Sequence, residues 1–176
     1  MKSLIAQKLG LALAMTFFIV SCTENVSYNE EATRMYLPTS FETSGLAWFK
    51  PEMDTYKPDT SIINQIKTVF DSTKHKILLY ADFTCSCTSK QSDIADMCRV
   101  LSDAKIDTSH YEIYSIRNST NNHPHKNQFT LVELPQIVVL KDTTAVFFVM
   151  DSVRYYRDII HTNAPIEKFL LDGLKK

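Results

Sequence analysis

"KILLYADFTCSCTSKQSDIADMCRVLSDA", residues 76–104, joins two patterns of different period. Its first eight residues, Lys76–Phe83, form a short apolar run of the kind found in buried strands. Further on, four residues recur at the spacing of one apolar helical face: Ile94, Met97, Cys98 and Leu101. The sequence therefore predicts a buried strand that leads into an amphipathic helix, with Cys85 and Cys87 between the two elements.

The rest of the chain predicts further helices and strands. Pro58 and Asp59 form a helix start ahead of apolar residues at helical spacing, and Pro165 starts another amphipathic helix near the end of the chain. Three more strand-like runs follow the quoted stretch: residues 110–117, 135–142 and 144–152. Since a tight turn separates the last two, they should pair as a hairpin. This order predicts an α/β domain with a mixed central sheet flanked by helices.

Cys85 occupies the predicted junction between strand and helix. The first turn of a helix carries unpaired N–H groups and the positive end of the helix dipole, and both favour a thiolate. Thr84, Ser86 and Thr88 add hydroxyls that can hydrogen-bond a sulfur anion. The same small polar residues are also typical helix caps, and the two roles are compatible.

The first 21 residues have the composition of a secretion signal. Lys2 and Lys8 give a positive start, and the apolar run that follows is shorter than a stable membrane-spanning helix. The ending Ile-Val-Ser-Cys, at residues 19–22, resembles the bacterial lipobox. The resemblance implies a signal peptide at 1–21, cleavage before Cys22 and a lipid on that cysteine.

This leader sets the predicted domain organisation and compartment. Residues 22–46 are polar and lack periodicity, so we expect a tether between the lipid and a domain at 47–176. The lipid on Cys22 would hold the protein to a membrane of the bacterial cell envelope, exposed outside the cytoplasm. Disulfides can persist there, so the expected partners are extracytoplasmic protein thiols or disulfides.

Composition argues against several other functions. The chain has 19 basic and 20 acidic residues, a net charge of −1, so no basic face for nucleic acid is expected. Its 3 glycines cannot form a glycine-rich phosphate loop. No cysteine and histidine spacing fills the four positions of a zinc site. We therefore expect neither a cofactor nor a resident metal.

The order of elements, with cysteines at a helix start and an X-Pro before a β-branched run, resembles the thioredoxin superfamily. "AWFKPEMDTYKPD" (Ala47–Asp59) ahead of a helix is similar to the lead-in of Bacteroidetes-type thioredoxin family lipoproteins. The resemblance implies a thioredoxin-like fold over 47–176, with Cys85 as the attacking cysteine and Pro135 as the cis-proline. It also implies that backbone at Leu134 and Pro135 pairs with an extended substrate.

The site departs from the Cys-x-x-Cys pattern of that family. Thr88 stands at the usual second cysteine, Thr84 at the usual tryptophan, and Leu79 where some members hold a buried acid. Cys87 is then the local resolving thiol for Cys85. A bond between them would be strained, because side chains two residues apart point apart. Strain raises the reduction potential, which favours an oxidant or isomerase over a reductant.

Cys98 is expected to be structural. The 11 residues from Cys87 to Cys98 advance about 16 Å along a continuous helix, which is far beyond disulfide reach. Cys98 also lies on the apolar face of the predicted helix. We therefore expect a buried free thiol with no part in exchange.

Two alternatives to disulfide exchange remain open from the sequence. A Cys-x-Cys pair suits Cu(I), and a further ligand could come from His123, His125 or His161. The segment that carries the first two histidines, "NNHPHKN", has the composition of a solvated loop. The domain could instead be catalytically weak and serve protein interaction.

Overall fold

The computed structural model describes residues 31–37, 39–42, 44–84 and 88–176. Within these ranges there are five strands, β1 Thr33–Met35, β2 His75–Ala81, β3 Tyr111–Ser115, β4 Gln136–Lys141 and β5 Thr144–Phe148. The same ranges contain five α-helices, α1 Phe49–Thr55, α2 Thr60–Val69, α3 Thr88–Asp103, α4 Val149–Arg154 and α5 Ile166–Leu174. Two 3-10 turns, Thr39–Phe41 and Ser44–Leu46, precede α1, and a π-helical turn, Tyr155–Ile159, follows α4.

The strands form one mixed sheet in the order β1-β3-β2-β4-β5. β2 and β3 are parallel and are joined through α3, whereas β1 pairs antiparallel with β3, and β4 pairs antiparallel with both β2 and β5. The predicted α/β class and mixed sheet are confirmed. The predicted hairpin of the last two strands is also confirmed, with a register shift between Val139 and Leu140.

The sheet buries both faces, but the two faces are covered differently. Alternate residues of β2, such as Ile77 and Leu79, belong to a core to which all five helices contribute. Leu78 and Tyr80 belong to a second cluster on the other face of the sheet. That second cluster is completed by Phe129 and other residues of the β3–β4 connection. This alternation follows from the period of two in a strand, and it explains why β2 is apolar from Ile77 to Ala81.

The predicted helix starts are confirmed. The Asp59 carboxylate accepts hydrogen bonds from the backbone N–H of Ser61 at 2.7 Å and of Ile62 at 3.3 Å, and so caps α2. Helix α3 runs without interruption from Thr88, and Cys98 on its inner face is 1% exposed. At the end of the chain α5 follows Pro165 and buries Phe169 and Leu170.

The strand predicted over residues 144–152 is shorter than the pattern indicated. It ends at Phe148, and Val149–Arg154 form helix α4. The Gln136 side-chain oxygen accepts a hydrogen bond from the backbone N–H of Met150, in the first turn of α4. Val149, Met150 and Val153 are then buried at helical spacing, so an apolar run that suits a strand serves a helix instead.

The folded unit begins earlier than the predicted boundary at residue 47. Residues 33–35, within the segment predicted as a tether, form the edge strand β1 against β3. Phe41 and Leu46 are 5% and 6% exposed and belong to the helix-side core. Strand β1 is only three residues long and is mostly exposed, so it leaves no periodic signal in the sequence.

Candidate functional site

A tight turn follows the carboxyl end of β2. The Asp82 carboxylate accepts hydrogen bonds from the Thr84 backbone N–H at 2.9 Å and from the Thr84 hydroxyl at 2.6 Å. Between them Phe83 is buried against the rings of Phe41 and Phe49. The Thr84 hydroxyl has a single hydrogen, which is donated to Asp82, so Thr84 could support a thiolate only by giving up that bond.

The predicted reacting residues come next in the chain. Cys85, Ser86 and Cys87 lie outside the described residues, as does the predicted lipidation site, Cys22. Thr88 is the first residue of α3. The predicted roles of these residues therefore stay predictions.

Leu134 and Pro135 lie at the same end of the sheet as this turn, since they precede β4, which is antiparallel to β2. The peptide bond between them is cis, as the family resemblance implied for Pro135. β4 starts at Gln136, which pairs with Tyr80 near the end of antiparallel β2. The residues that precede β4 and those that follow β2 therefore leave the sheet side by side. Within the described residues, the Leu134 backbone N–H and C=O make no hydrogen bond.

Arg154 holds the Pro135 segment in place from helix α4. Its guanidinium donates to the Pro135 carbonyl at 3.1 Å and to the Asp151 carboxylate at 2.8 Å. A third nitrogen lies 3.3 Å from the Glu133 carboxylate. The Arg154 side chain is 15% exposed, whereas the Glu133 and Asp151 side chains are 62% and 61% exposed. The guanidinium is therefore buried against the loop and fixes it to α4, with its carboxylate partners facing solvent.

Gln136 ties the same helix to the first residue of β4. It is 1% exposed, and its side-chain nitrogen donates to Asp151 at 2.8 Å. Its side-chain oxygen accepts from the backbone N–H groups of Ile137 and Met150. A buried amide with all these partners rigidifies the junction between the Pro135 segment and α4.

An acidic cleft of about 550 Å³ lies between α3, α5 and the residues before α2. Asp93 and Asp96 line it from α3, and Glu167 lines it from α5. Burial, reinforced by the carboxylates of Asp93, Glu52 and Glu167, raises the pKa of Asp96 to about 7. Burial also raises the pKa of Asp93. The Asp96 carboxyl in this cleft therefore titrates near neutral pH.

A second polar cluster, centred on Glu112, lies on the other face of the sheet. Its carboxylate accepts from Lys76 at 2.8 Å and from the Tyr114 hydroxyl at 2.8 Å, and it lies 3.2 Å from His125 Nε2. Burial by itself would raise the pKa of Glu112, but these hydrogen bonds lower it to about 2. Glu112 is therefore an ionised, fully paired group.

The histidine segment is not the solvated loop that its composition indicated. His123 is 6% exposed, and its ring packs against Tyr80 and Phe129. His125 is held between Glu112 and Gln128. The segment covers the second apolar cluster of the sheet, in which Phe129 and Leu131 are buried. Of the three histidines considered for a metal, His161 alone is exposed.

Sequence reasoning missed the residues that organise this region: Arg154, Asp151, Gln136, Asp96 and Glu112. One signal was present in Gln136, since an amide directly before the apolar run of β4 is a buried polar residue that needs partners. Another was the pair Asp93 and Asp96, which alternate with apolar residues on α3. Of the partners of Arg154, Asp151 is at a local i,i+3 spacing on α4, whereas Glu133 and Pro135 lie on the loop before β4, and no local pattern indicates them.

No protein-family model, no curated protein and no solved structure matches this chain. Among the described residues, no helix has the length and apolar character needed to cross a membrane. The same residues contain no group of three histidine, cysteine, aspartate or glutamate side chains arranged to hold a metal ion.

Proposed function

We propose that this protein is a lipid-anchored, thioredoxin-like thiol–disulfide exchange protein of the bacterial cell envelope, acting through Cys85 and Cys87. The observation that carries the proposal is the topology around the two cysteines. They connect the end of β2 to α3 in the chain, and β3 returns parallel to β2. A hairpin and a last helix complete the order of elements expected from the resemblance.

The backbone beside the carboxyl end of β2 supports the same proposal. Antiparallel pairing of β2 and β4 brings Leu134 and Pro135 beside the residues that follow β2. The Leu134 backbone has no hydrogen bond within the described residues, so it can pair with an extended polypeptide. Arg154 holds the neighbouring Pro135 carbonyl, which keeps this backbone in one position. A substrate strand bound here would lie next to the predicted reacting thiols.

The chemistry is a two-step exchange. The Cys85 thiolate attacks one sulfur of a substrate disulfide, which forms a mixed disulfide and releases the other substrate sulfur as a thiolate. The Cys87 thiolate then attacks the Cys85 sulfur, releases the second substrate thiolate and leaves a Cys85–Cys87 disulfide. The substrate gains the two electrons that the protein loses, and the reverse sequence oxidises a substrate dithiol.

The contacts of the histidines favour exchange over Cu(I) delivery. His125 already contacts Glu112 and Gln128, and His123 is buried among aromatic rings on the second face of the sheet. Recruiting either ring as a metal ligand would require breaking these contacts. His123 and His125 are therefore occupied by packing or hydrogen-bond contacts, and of the three histidines His161 alone is exposed.

Serine substitutions at each cysteine test the proposal. With the full chain and a disulfide-bonded model protein, Cys87→Ser should accumulate a mixed disulfide on Cys85, seen by non-reducing electrophoresis and mass spectrometry. Cys85→Ser should lose exchange, because the attacking sulfur is absent. The matched control is Cys98→Ser, which removes a thiol that is 1% exposed and should keep the parental exchange rate. Exchange by Cys85→Ser at the parental rate would overturn the assignment.

A further inference from the structure

The second face of the sheet is covered by the chain between β3 and β4 rather than by a helix. The apolar cluster on this face draws its described members from the strands, from Ala32 and from the β3–β4 connection, residues 116–135, and none of them lies in a described helix. Within the connection, Phe129 and Leu131 are 9% and 2% exposed. Release of the connection would therefore expose Leu78 and Tyr80 of β2.

His123 is the titratable group at the centre of this connection. It is 6% exposed, and its ring centroid lies 5.2 Å from that of Tyr80 and 5.3 Å from that of Phe129. Its buried Nδ1 atom and the buried Tyr80 hydroxyl have no hydrogen-bond partner within the described residues. A neutral imidazole is tolerated at such a site, whereas a charged one would lose its hydration without a compensating partner.

The charged groups on the same segment oppose protonation of His123. Burial lowers the pKa of His123, and the nearby His125 and Lys126 lower it further. His125 is the one of these two that contacts an acid, since its Nε2 atom lies 3.2 Å from the Glu112 carboxylate. A proton on His123 would therefore add a third cationic group to this segment without an acid of its own.

The carboxylates that face the segment from the sheet are engaged elsewhere. Glu112 of β3 accepts hydrogen bonds from Lys76 and Tyr114, and Arg34 of β1 lies 3.4 Å from it. Glu31, ahead of β1, accepts a hydrogen bond from the Asn122 side-chain amide at 3.3 Å. Among the described residues, neither carboxylate makes a hydrogen bond or ion pair with His123.

A cleft beside His123 gives this site a route to solvent. The cleft has a volume of about 290 Å³ and is lined by Glu31, Ala32, His123 and Lys126, among others. At its wall the Ala32 backbone N–H donates to the Asn122 carbonyl at 2.8 Å, which attaches the connection to the chain ahead of β1. A small displacement of residues 121–127 away from this wall would bring the His123 ring into water.

We propose that the β3–β4 connection is an acid-sensitive cover, which separates from the second face of the sheet when His123 gains a proton. In the open form the ring is hydrated and its pKa is the ordinary histidine value of 6.5, whereas the closed form keeps the ring neutral. Opening therefore takes up a proton, so it becomes more favourable as the pH falls below 6.5, by at most about tenfold per pH unit. This device goes beyond the proposed exchange function and does not depend on Cys85 or Cys87.

Hydrogen–deuterium exchange of the full chain at pH 7.5 and pH 5.5 tests the proposal, with rates corrected for the intrinsic pH dependence of amide exchange. The informative amides are Lys126, Gln128 and Phe129, whose N–H groups donate to the carbonyls of His123 or His125. Their corrected exchange should be about three- to tenfold faster at pH 5.5. Amides of α3, on the opposite face of the sheet, should not accelerate, because protonation of Asp96 stabilises that side.

Two substitutions remove the titrating ring in different ways. His123→Phe keeps an aromatic ring against Tyr80 and Phe129, and His123→Gln keeps a neutral polar side chain. Both should abolish the acceleration at pH 5.5, whether their exchange at pH 7.5 is faster or slower than that of the parent protein. His125→Gln loses the contact with Glu112, so it should exchange faster at both pH values and keep the acceleration. His161→Asn, at an exposed histidine, is the matched control and should behave as the parent protein does.

Three results would contradict the cover. One is equal corrected exchange of Lys126, Gln128 and Phe129 at the two pH values in the parent protein. Another is an acceleration that persists in both His123 variants, which would assign it to a different group. The third is an acceleration shared equally by α3, which would mean that acid loosens the whole domain rather than the β3–β4 connection.

Discussion

At the scale of single residues, the buried carboxylate of Glu167 links three parts of the chain. Glu167 is 1% exposed and lies in the first turn of α5. It accepts hydrogen bonds from the Tyr56 hydroxyl at 2.6 Å and from the Asp59 backbone N–H at 2.8 Å. Because Asp59 also caps α2, this one side chain fixes the end of the chain to the start of α2.

Replacement of Glu167 should therefore be costly. Glu167→Ala leaves the Tyr56 hydroxyl and the Asp59 N–H without partners, and we expect a loss of about 2–3 kcal/mol in the free energy of unfolding. Chemical denaturation at pH 7 measures the loss. The control is Asp172→Asn on the same helix, where the half-exposed ion pair with Lys168 should contribute less than about 1 kcal/mol. Equal effects of the two substitutions would contradict the role assigned to Glu167.

Sequence alone predicted the apolar residues of the site region better than its polar ones. Cys98 was correctly expected to be buried, because its spacing with Ile94 and Leu101 defines one helical face. The contacts of Arg154 and Glu167 were not expected. Pro135 lies 19 residues from Arg154, and Tyr56 lies 111 residues from Glu167, so only the folded backbone brings these pairs together.

At the scale of elements, the predicted helices and strands are confirmed where the hydrophobic pattern extends over many residues. Helices α2, α3 and α5, strands β2 and β3 and the β4–β5 hairpin all occupy the expected segments. The sequence did not indicate β1 or α1, since short elements carry too few residues for a period. It misassigned the start of α4, because the Gln136 side chain and burial of Val149 and Met150 decide that boundary.

Gly173 of helix α5 packs against the β4–β5 hairpin. A methyl group added there would lie 2.9 Å from a side-chain carbon of Phe147 and 2.9 Å from one of Val139. Gly173→Ala should therefore destabilise the protein by about 1–2 kcal/mol, although alanine favours a helix by about 1 kcal/mol. Thermal or chemical denaturation measures the change.

Gly45→Ala is the matched control for Gly173→Ala. Among the described residues other than its chain neighbours, no atom lies within 4 Å of the position of an added methyl group at Gly45, and its φ is not positive. This substitution should be neutral or stabilise by up to about 1 kcal/mol. A second check combines Gly173→Ala with Val139→Ala, which should destabilise less than the two changes added together. A stabilising Gly173→Ala would show that α5 can move away from the hairpin.

At the scale of the whole molecule, two carboxyl groups make stability depend on pH in opposite directions. Glu112 has its pKa lowered to about 2 from the ordinary glutamate value of 4.5, so its contribution is present above about pH 4.5 and is lost as the pH falls toward 2. Asp96 has its pKa raised to about 7 from the ordinary value of 3.8. The two groups lie on opposite faces of the sheet and should act independently.

The sign for Asp96 follows from proton binding in the two states. Between about pH 4 and pH 7 folded Asp96 keeps a proton that the unfolded chain has released, so stability falls as the pH rises through this window. The opposite pH dependences of Asp96 and Glu112 together predict that the free energy of unfolding is greatest at about pH 5. Salt should reduce the loss at higher pH, because part of the shift is repulsion from Asp93, Glu52 and Glu167.

Asp96→Asn tests this pH dependence directly. The neutral side chain avoids the burial of a charge, so at pH 8 the variant should exceed the parent protein by about 1–2 kcal/mol in the free energy of unfolding, after allowance for partial exposure to solvent. At pH 4 the difference should nearly vanish, because the parent residue is then protonated in the folded state. Urea denaturation at pH 4, 6 and 8 measures the trend, with Asp172→Asn, at a half-exposed aspartate of α5, as the control. The same gain at pH 4 as at pH 8 would mean that packing, rather than titration of Asp96, determines the difference.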